Sequence, residues 1–111
     1  MWGVIQNIGD TTKRTCLLTT KINVDDTAAV ALPNIPANAN SALVVLEADS
    51  TSTTPERAAH FSEKDTPTNV LGLPLADNAP YEIITAENIA AFKVIGIEAG
   101  KTHVLQIQYF A

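Results

Sequence analysis

The sequence predicts an all-β fold, a small antiparallel β-sandwich of jelly-roll type. Short apolar segments recur between turn signals along the whole chain, which is the pattern of a sandwich or barrel. The last of these segments alternates most clearly, with Leu105, Ile107 and Tyr109 on one face. Gln106 and Gln108 occupy the other face, so one side of this strand is expected to face a core.

Eight segments of the chain carry the strand pattern. The first long one is rich in β-branched residues and has no helical spacing. In chain order the predicted strands are Val4–Ile8, Thr15–Val24, Ala28–Leu32, Ser41–Ala48, Ala58–Phe61, Tyr81–Ile84, Ala91–Ile97 and His103–Phe110.

Proline, glycine and asparagine mark the connections between these strands. Pro33–Asn40 contains two prolines and three asparagines, and a proline cannot donate to a sheet ladder, so a loop is predicted there. Asp49–Pro55 is predicted as a polar loop. Further turns are expected at Asp65–Thr68, Gly72–Leu75 and Asp77–Pro80.

One segment, 85–95, fits two structures. With Thr85 as the N-cap, Ile89 and Phe92 would share one face of a short helix. The residues from Phe92 onward alternate and are β-branched, which is typical of a strand. We expect a turn at Ala86–Asn88 that leads into the strand.

The composition of the chain indicates the size of the core side chains and the class of partner. Apolar residues make up 46% of the chain, but many are alanine and aromatics are only 5%, so a thin core of small side chains is predicted. The net charge of −5 argues against a nucleic-acid partner, since phosphate contacts need clustered Lys and Arg. We interpret 1–111 as a single domain, in which 1–14 could form an N-terminal arm.

The sequence shows no pattern of targeting or membrane insertion. Met1–Asp10 lacks the basic and long apolar regions of a signal peptide, and no apolar segment approaches the length that spans a bilayer. Cys16 is the only cysteine, so it cannot form an intramolecular disulfide, and we expect it to be a small buried hydrophobe. These features predict synthesis in a reducing cytoplasm and no membrane partner.

Reactive side chains are present, but their spacing does not indicate catalysis or ligation. His60 and His103 lie in separate segments, and neither belongs to an H-x-H or H-E-x-x-H pattern. Asp25 and Asp26 are adjacent, so on a strand they would point to opposite faces, and a calcium site there has no loop pattern behind it. We therefore predict no catalytic residue, no metal, no cofactor and no small-molecule substrate.

Contact surfaces are the remaining functional signal in the sequence. Trp2 could cap an edge of the sheet, or it could belong to an arm that anchors the protein in a neighbour, and both readings carry equal weight. Loops are the other candidates, because the sheets are committed to the core. The predicted interface residues are Trp2, Val4, Ile5, Asn34, Ile35, Asn38, Thr51 and Thr53.

The order of turns and strands in the second half of the chain resembles a known family. It runs from Arg57 and Phe61 through Asp65-Thr-Pro-Thr68, Gly72-Leu-Pro-Leu75 and Asn88-Ile-Ala-Ala-Phe-Lys-Val-Ile95 to Gln106-Ile-Gln-Tyr-Phe110. This order resembles small structural proteins of tailed phages. Length and acidity are most similar to the capsid decoration (staple or cement) proteins of the epsilon-fifteen-like Salmonella podoviruses. The match covers about residues 28 to 110, and Glu63-Lys64-Asp65 departs from the family's usual Asp-Gly.

The resemblance implies a function for the chain. It implies a jelly-roll-like β-sandwich that pairs as a homodimer on the capsid exterior, clamps neighbouring copies of the major capsid protein and stabilises the shell. The alternative is a carbohydrate- or receptor-binding β-sandwich of a phage fibre, but sugar platforms usually need exposed aromatic rings, and this chain has few aromatics. An enzyme is the weakest interpretation, so we expect a virion structural protein.

Overall fold

The computed structural model describes residues 14–111, in which eight strands and one short α-helix alternate with turns. The elements are β1 (Cys16–Val24), β2 (Val30–Ala31), β3 (Ser41–Glu47), a 3₁₀ turn at Pro55–Arg57, β4 (Ala59–Ser62), β5 (Leu73–Leu75), β6 (Tyr81–Ile84), α1 (Ala86–Ala91), β7 (Lys93–Gly96) and β8 (His103–Phe110). The predicted strand Val4–Ile8 lies outside the described residues. Between residues 14 and 111, no helix has the length and apolar character needed to cross a bilayer.

The strands form two four-stranded antiparallel sheets. Sheet I has the order β1-β8-β3-β6, and sheet II has the order β2-β7-β4-β5. Of the consecutive strands, only β4 and β5 lie in the same sheet, so every other connection crosses from one sheet to the other. This winding of eight strands over two sheets is the jelly-roll arrangement, which confirms the predicted fold class.

The core lies between the inner faces of the two sheets. The alternation predicted for β8 is confirmed, because Leu105, Ile107 and Tyr109 are at most 1% exposed. Phe61 packs at the centre, with its ring 4.6 Å from that of Tyr81 and 5.4 Å from that of Phe92. Such large buried side chains each contribute about 1.5–3 kcal/mol. The core therefore depends on aromatic rings more than the alanine-rich composition suggests.

The segment after β6 is a helix, so the predicted turn at Ala86–Asn88 is wrong. The Thr85 hydroxyl accepts from the Asn88 amide at 3.3 Å, which caps the helix N-terminus. Ile89 is fully buried on the helix face that covers the end of the core. The β-branched pattern takes over only after Phe92, whose backbone is extended. The helical alternative was the correct one up to that residue.

Two further expectations are corrected by the structure. Gly72–Leu75 is not only a turn, because Leu73–Leu75 pairs with β4 as an edge strand. An edge strand tolerates Pro74, whose missing N–H need not face a neighbouring strand. Cys16 is exposed and not buried, because it lies at the start of the edge strand β1, where the sheet offers less cover.

Candidate interaction surfaces

The strand registers place the two predicted contact loops at opposite ends of the sandwich. At one end Ser41 of β3 pairs with Phe110 of β8. Loop 33–40 leads into Ser41, whereas loop 49–55 follows Glu47 at the other end of the same strand. The seven residues of β3 separate the two loops by about 20 Å. We call these the Ser41 end and the Glu47 end.

Three predicted contact residues, Asn34, Ile35 and Asn38, are exposed at the Ser41 end. Asn34 adopts a left-handed φ of 54°, which asparagine tolerates better than most residues. The loop is held by Tyr109, whose hydroxyl donates to the Pro33 carbonyl oxygen at 2.5 Å. A partner could therefore contact this loop without having to order it first.

Arg14 also folds over the Ser41 end. Its guanidinium carbon lies 4.2 Å from the centre of the Phe110 ring, a cation–π distance. It donates to the Ser41 hydroxyl at 3.3 Å and forms an ion pair with Glu82 of β6. The predicted arm joins the described chain at this residue, and its contact residues Trp2, Val4 and Ile5 lie outside the described residues.

Thr51 and Thr53 are exposed at the Glu47 end, where their polar groups bond within the protein. Asp49 Oδ1 accepts from the Thr51 hydroxyl at 2.7 Å and from the Thr51 amide at 2.8 Å. The Thr53 hydroxyl donates to Glu98 at 2.9 Å, and Lys101 Nζ donates to the Thr51 hydroxyl at 2.8 Å. The hydroxyl bond from Thr51, followed by two backbone amide bonds, lowers the pKa of Asp49 to about 2. This network fixes the loop and occupies its hydroxyl groups.

The two histidines are buried and lie in different sheets. His60 Nδ1 is 2.9 Å from the Thr68 carbonyl oxygen, and His103 Nδ1 accepts from the Asp49 amide at 2.9 Å. His103 Nε2 is buried and has no hydrogen-bond partner in the described part of the chain. Within that same part, no three His, Cys, Asp or Glu side chains lie close enough together to hold a metal ion. Both rings bond to the backbone of connecting loops.

Three exposed apolar side chains lie close in sequence at the start of β5 and in the loop before it. Val70 exposes 84% of its surface, Leu71 57% and Leu73 60%. We call these three residues the 70–73 surface. The signal in the sequence is three aliphatic residues within four positions, between turn residues on either side. That signal predicts an exposed apolar cluster only if the segment is known to lie at the edge of a sheet.

The loop that carries the 70–73 surface is firmly held. The Thr68 hydroxyl accepts from the amides of Val70 and Leu71, at 3.2 and 3.0 Å. The Thr68 amide donates to the Leu71 carbonyl oxygen at 2.9 Å. The loop folds back over His60 on the outer side of sheet II, which leaves that ring only 5% exposed. The apolar side chains are thus presented on a rigid support.

A surface cavity of about 440 Å³ opens beside the 70–73 surface. This volume is in the range of ligand pockets. Burial and a hydrogen bond to Glu63 raise the pKa of Tyr81 to about 12. The Glu63 carboxylate accepts this hydrogen bond from the Tyr81 hydroxyl. An apolar wall with carboxylates nearby suits an apolar side chain that has a basic neighbour. The lining residues are Phe61, Ser62, Glu63, Asp65, Thr66, Pro67, Leu71, Gly72 and Leu73.

Within residues 14–111 we therefore identify two candidate contact surfaces. One is the 70–73 surface with its cavity, and the other is the Ser41 end. No protein-family model matches the sequence. A search of curated proteins finds no significant match.

Proposed function

We propose that the protein is a virion structural protein that decorates the capsid exterior of a tailed phage. It would bind the major capsid protein and a second copy of itself, and so stabilise the shell. The proposal combines the sequence resemblance with the jelly-roll sandwich, an architecture that occurs in viral capsid and lectin domains. In this proposal the protein acts through its surfaces, without a substrate, cofactor, nucleic acid or membrane. Because one fold serves many functions, those surfaces carry the argument.

The 70–73 surface is the observation that carries the proposal. Contiguous exposed apolar patches often mark sites of protein contact, and Leu71 and Leu73 line one cavity together. Burying the remaining exposed area of these three side chains would contribute roughly 3–6 kcal/mol before the costs of association. Once those costs are subtracted, one contact corresponds to a Kd on the order of millimolar or weaker. A single copy would therefore bind a shell subunit weakly.

On a shell, repeated contacts would compensate for the low affinity of each single contact. Two linked contacts raise the effective concentration of the second, and avidity can exceed the single affinity by about 10²–10⁴-fold. A homodimer supplies two contacts at once, which supports self-association as part of the function. The net charge of −5 favours a basic surface on the partner, because opposite charge speeds encounter.

The burial of the aromatic rings favours this proposal over the carbohydrate-binding alternative. A sugar platform exposes aromatic faces, but Phe61, Phe92 and Tyr109 are buried in the core. Tyr81 and Phe110 are only partly exposed. Within residues 14–111, the exposed apolar area is aliphatic instead, which suits protein contact better than stacking on a sugar ring.

Co-sedimentation with undecorated phage heads tests the proposal. The wild-type protein is expected to pellet with the heads and to raise the temperature at which they rupture. A variant with Val70→Ser, Leu71→Ser and Leu73→Ser should lose about tenfold or more in apparent affinity, which is about 1.4 kcal/mol. Ile84→Ser is the matched comparison, because it removes a side chain of 62% exposure at the Ser41 end.

Circular dichroism and melting should confirm that both variants are folded like the wild type. A wild-type protein that does not co-sediment with heads would contradict the proposed function. Loss of binding in Ile84→Ser but not in the triple variant would indicate that the shell contact lies at the Ser41 end and not at the 70–73 surface. Binding on a glycan array, without binding to heads, would favour the carbohydrate-binding module.

A further inference from the structure

The described part of the chain has four edge strands, and β1 differs from the others. β2 has two residues, β5 has three and contains Pro74, and β6 has four. β1 has nine residues, contains no proline and pairs only with β8. Natural edge strands are usually short or interrupted, because a long one offers its outward N–H and C=O groups to another chain. The protection of β1 is limited to a register irregularity between Cys16 and Leu18, at its start, and to the charged Lys21.

The side chains of β1 are also incompletely covered. Leu18 and Ile22 pack against the core, yet both remain only half-buried, because the sheet ends at this strand. Thr19, Lys21 and Asn23 are exposed on the outer face. A strand added beside β1 would cover the aliphatic pair and leave the polar residues at the surface. The strand thus has the side-chain pattern of an interior position in a wider sheet.

We propose that β1 pairs antiparallel with β1 of a second copy, around a twofold axis at Thr20. In this register the two strands overlap regularly from Leu18 to Ile22, beyond the register irregularity between Cys16 and Leu18. Leu18 would lie opposite the partner's Ile22, and Thr19 opposite the partner's Lys21. The two copies of sheet I would then form one continuous sheet of eight strands, with the two β1 strands at its centre.

The side-chain pattern of β1 favours a second copy as the occupant, because the strand is complementary to itself. About an axis at Thr20, each half-buried Leu18 lies opposite the partner's Ile22, and each exposed Thr19 lies opposite the partner's Lys21. An axis at Lys21 would place two ammonium groups directly opposite each other, which is unfavourable. Arg14 takes no part in this contact, because its guanidinium is held on Phe110, Ser41 and Glu82 of its own chain. Self-complementarity and the avoided Lys21 contact therefore select the register centred on Thr20.

The proposal rests on the self-association part of the proposed function and not on shell binding. Light scattering on the full chain should give twice the monomer mass of 11.8 kDa. Thr20→Glu would place two carboxylates face to face on the axis and is expected to abolish the dimer. A monomeric wild type would overturn the proposal, whether or not the protein binds heads. A dimer that does not bind heads would instead contradict only the shell-binding part of the proposed function.

Cysteine cross-linking gives a second test that does not require a destabilising change. In a Cys16→Ser background, Thr20→Cys would bring two thiols opposite each other, with Cβ atoms about 4.5–5.5 Å apart, close to disulfide geometry. Asn23→Cys is the matched control, because its two copies would be about 20 Å apart along the paired strands. Mild oxidation should link the Thr20→Cys dimer alone. Equal cross-linking of both variants, or a dimer in which Thr20→Cys does not link, would exclude this register.

Discussion

Substitution of Gly72 by alanine tests how the 70–73 surface is held in place. Gly72 has a φ of +129°, which residues with side chains rarely adopt. A Cβ atom there would lie 3.0 Å from the Cβ of His60, 3.0 Å from the Phe61 carbonyl oxygen and 3.2 Å from the Cβ of Pro67. None of these atoms is the far end of a flexible side chain, so the loop itself would have to shift.

The expected loss of stability follows from two contributions of similar size. The backbone strain is about 1–3 kcal/mol, and overpacking against the sheet adds about 1–3 kcal/mol. Alanine also restricts the unfolded chain, which offsets about 0.4–1 kcal/mol. We therefore expect Gly72→Ala to lower the free energy of unfolding by about 1–5 kcal/mol. A domain of this size is stable by only about 5–15 kcal/mol.

Gly100→Ala is the matched control. Gly100 also has a positive φ, +76°, but no heavy atom lies within 4 Å of the position of its added Cβ. Only the left-handed backbone cost of about 1–2 kcal/mol applies, and the same unfolded-state effect offsets part of it. A larger loss at Gly72 than at Gly100 therefore reports the contacts of the loop with His60, Phe61 and Pro67, together with the greater backbone strain at a φ of +129°.

Urea unfolding followed by circular dichroism gives the free energies, and similar m-values would show that the comparison is valid. Each kcal/mol should also lower Tm by roughly 4 °C. Equal losses in Gly72→Ala and Gly100→Ala would refute the packing of this loop against sheet II. A gain in stability at Gly72 would refute the positive φ as well.

The free energy of unfolding should also depend on pH, through Asp49 in the acid range and through the two tyrosines in the alkaline range. Hydrogen bonds from Thr51 lower the pKa of Asp49 from 3.8 to about 2, so its contribution is complete above pH 3.8 and is lost as the pH falls toward 2. Asp49→Asn should therefore flatten the acid part of the urea midpoint against pH, and an unchanged slope would contradict the network. Burial raises the pKa values of Tyr81 and Tyr109 from 10.0 to about 12. Their contribution is complete below pH 10 and is lost as the pH rises through 12, so the tyrosinate absorbance of the native protein should appear near pH 12. A native midpoint near pH 10 would contradict the burial of both rings.

The sequence was sufficient for the fold class because strand alternation is a local signal. In β8 the side chains alternate over eight residues, and the buried face is the one expected. The helix α1 was mispredicted because its six residues are too few to show a full helical period. The strand β5 was missed because Pro74 argues against a strand unless its position at a sheet edge is known. Sheet position depends on pairing between distant residues.

The contact surfaces were harder to predict than the fold, for the same reason. Asn34, Ile35 and Asn38 are exposed as the composition of their loop suggested. The hydroxyls of Thr51 and Thr53 instead bond to Asp49 and Glu98, and the partner Glu98 lies 45 residues away from Thr53 in the chain. The 70–73 surface depends on a loop that folds back over sheet II. No local pattern specifies that path.

The topology makes the two proposed contacts compatible. β1 is one edge of sheet I, and β5 is the edge of sheet II on the other side of the sandwich, under β6. The 4.6 Å contact between the rings of Phe61 in β4 and Tyr81 in β6 fixes which edges lie above each other. A copy paired through β1 therefore keeps its 70–73 surface accessible. The resulting dimer would carry two such surfaces on its far sides, so that one dimer could bridge two subunits of a shell.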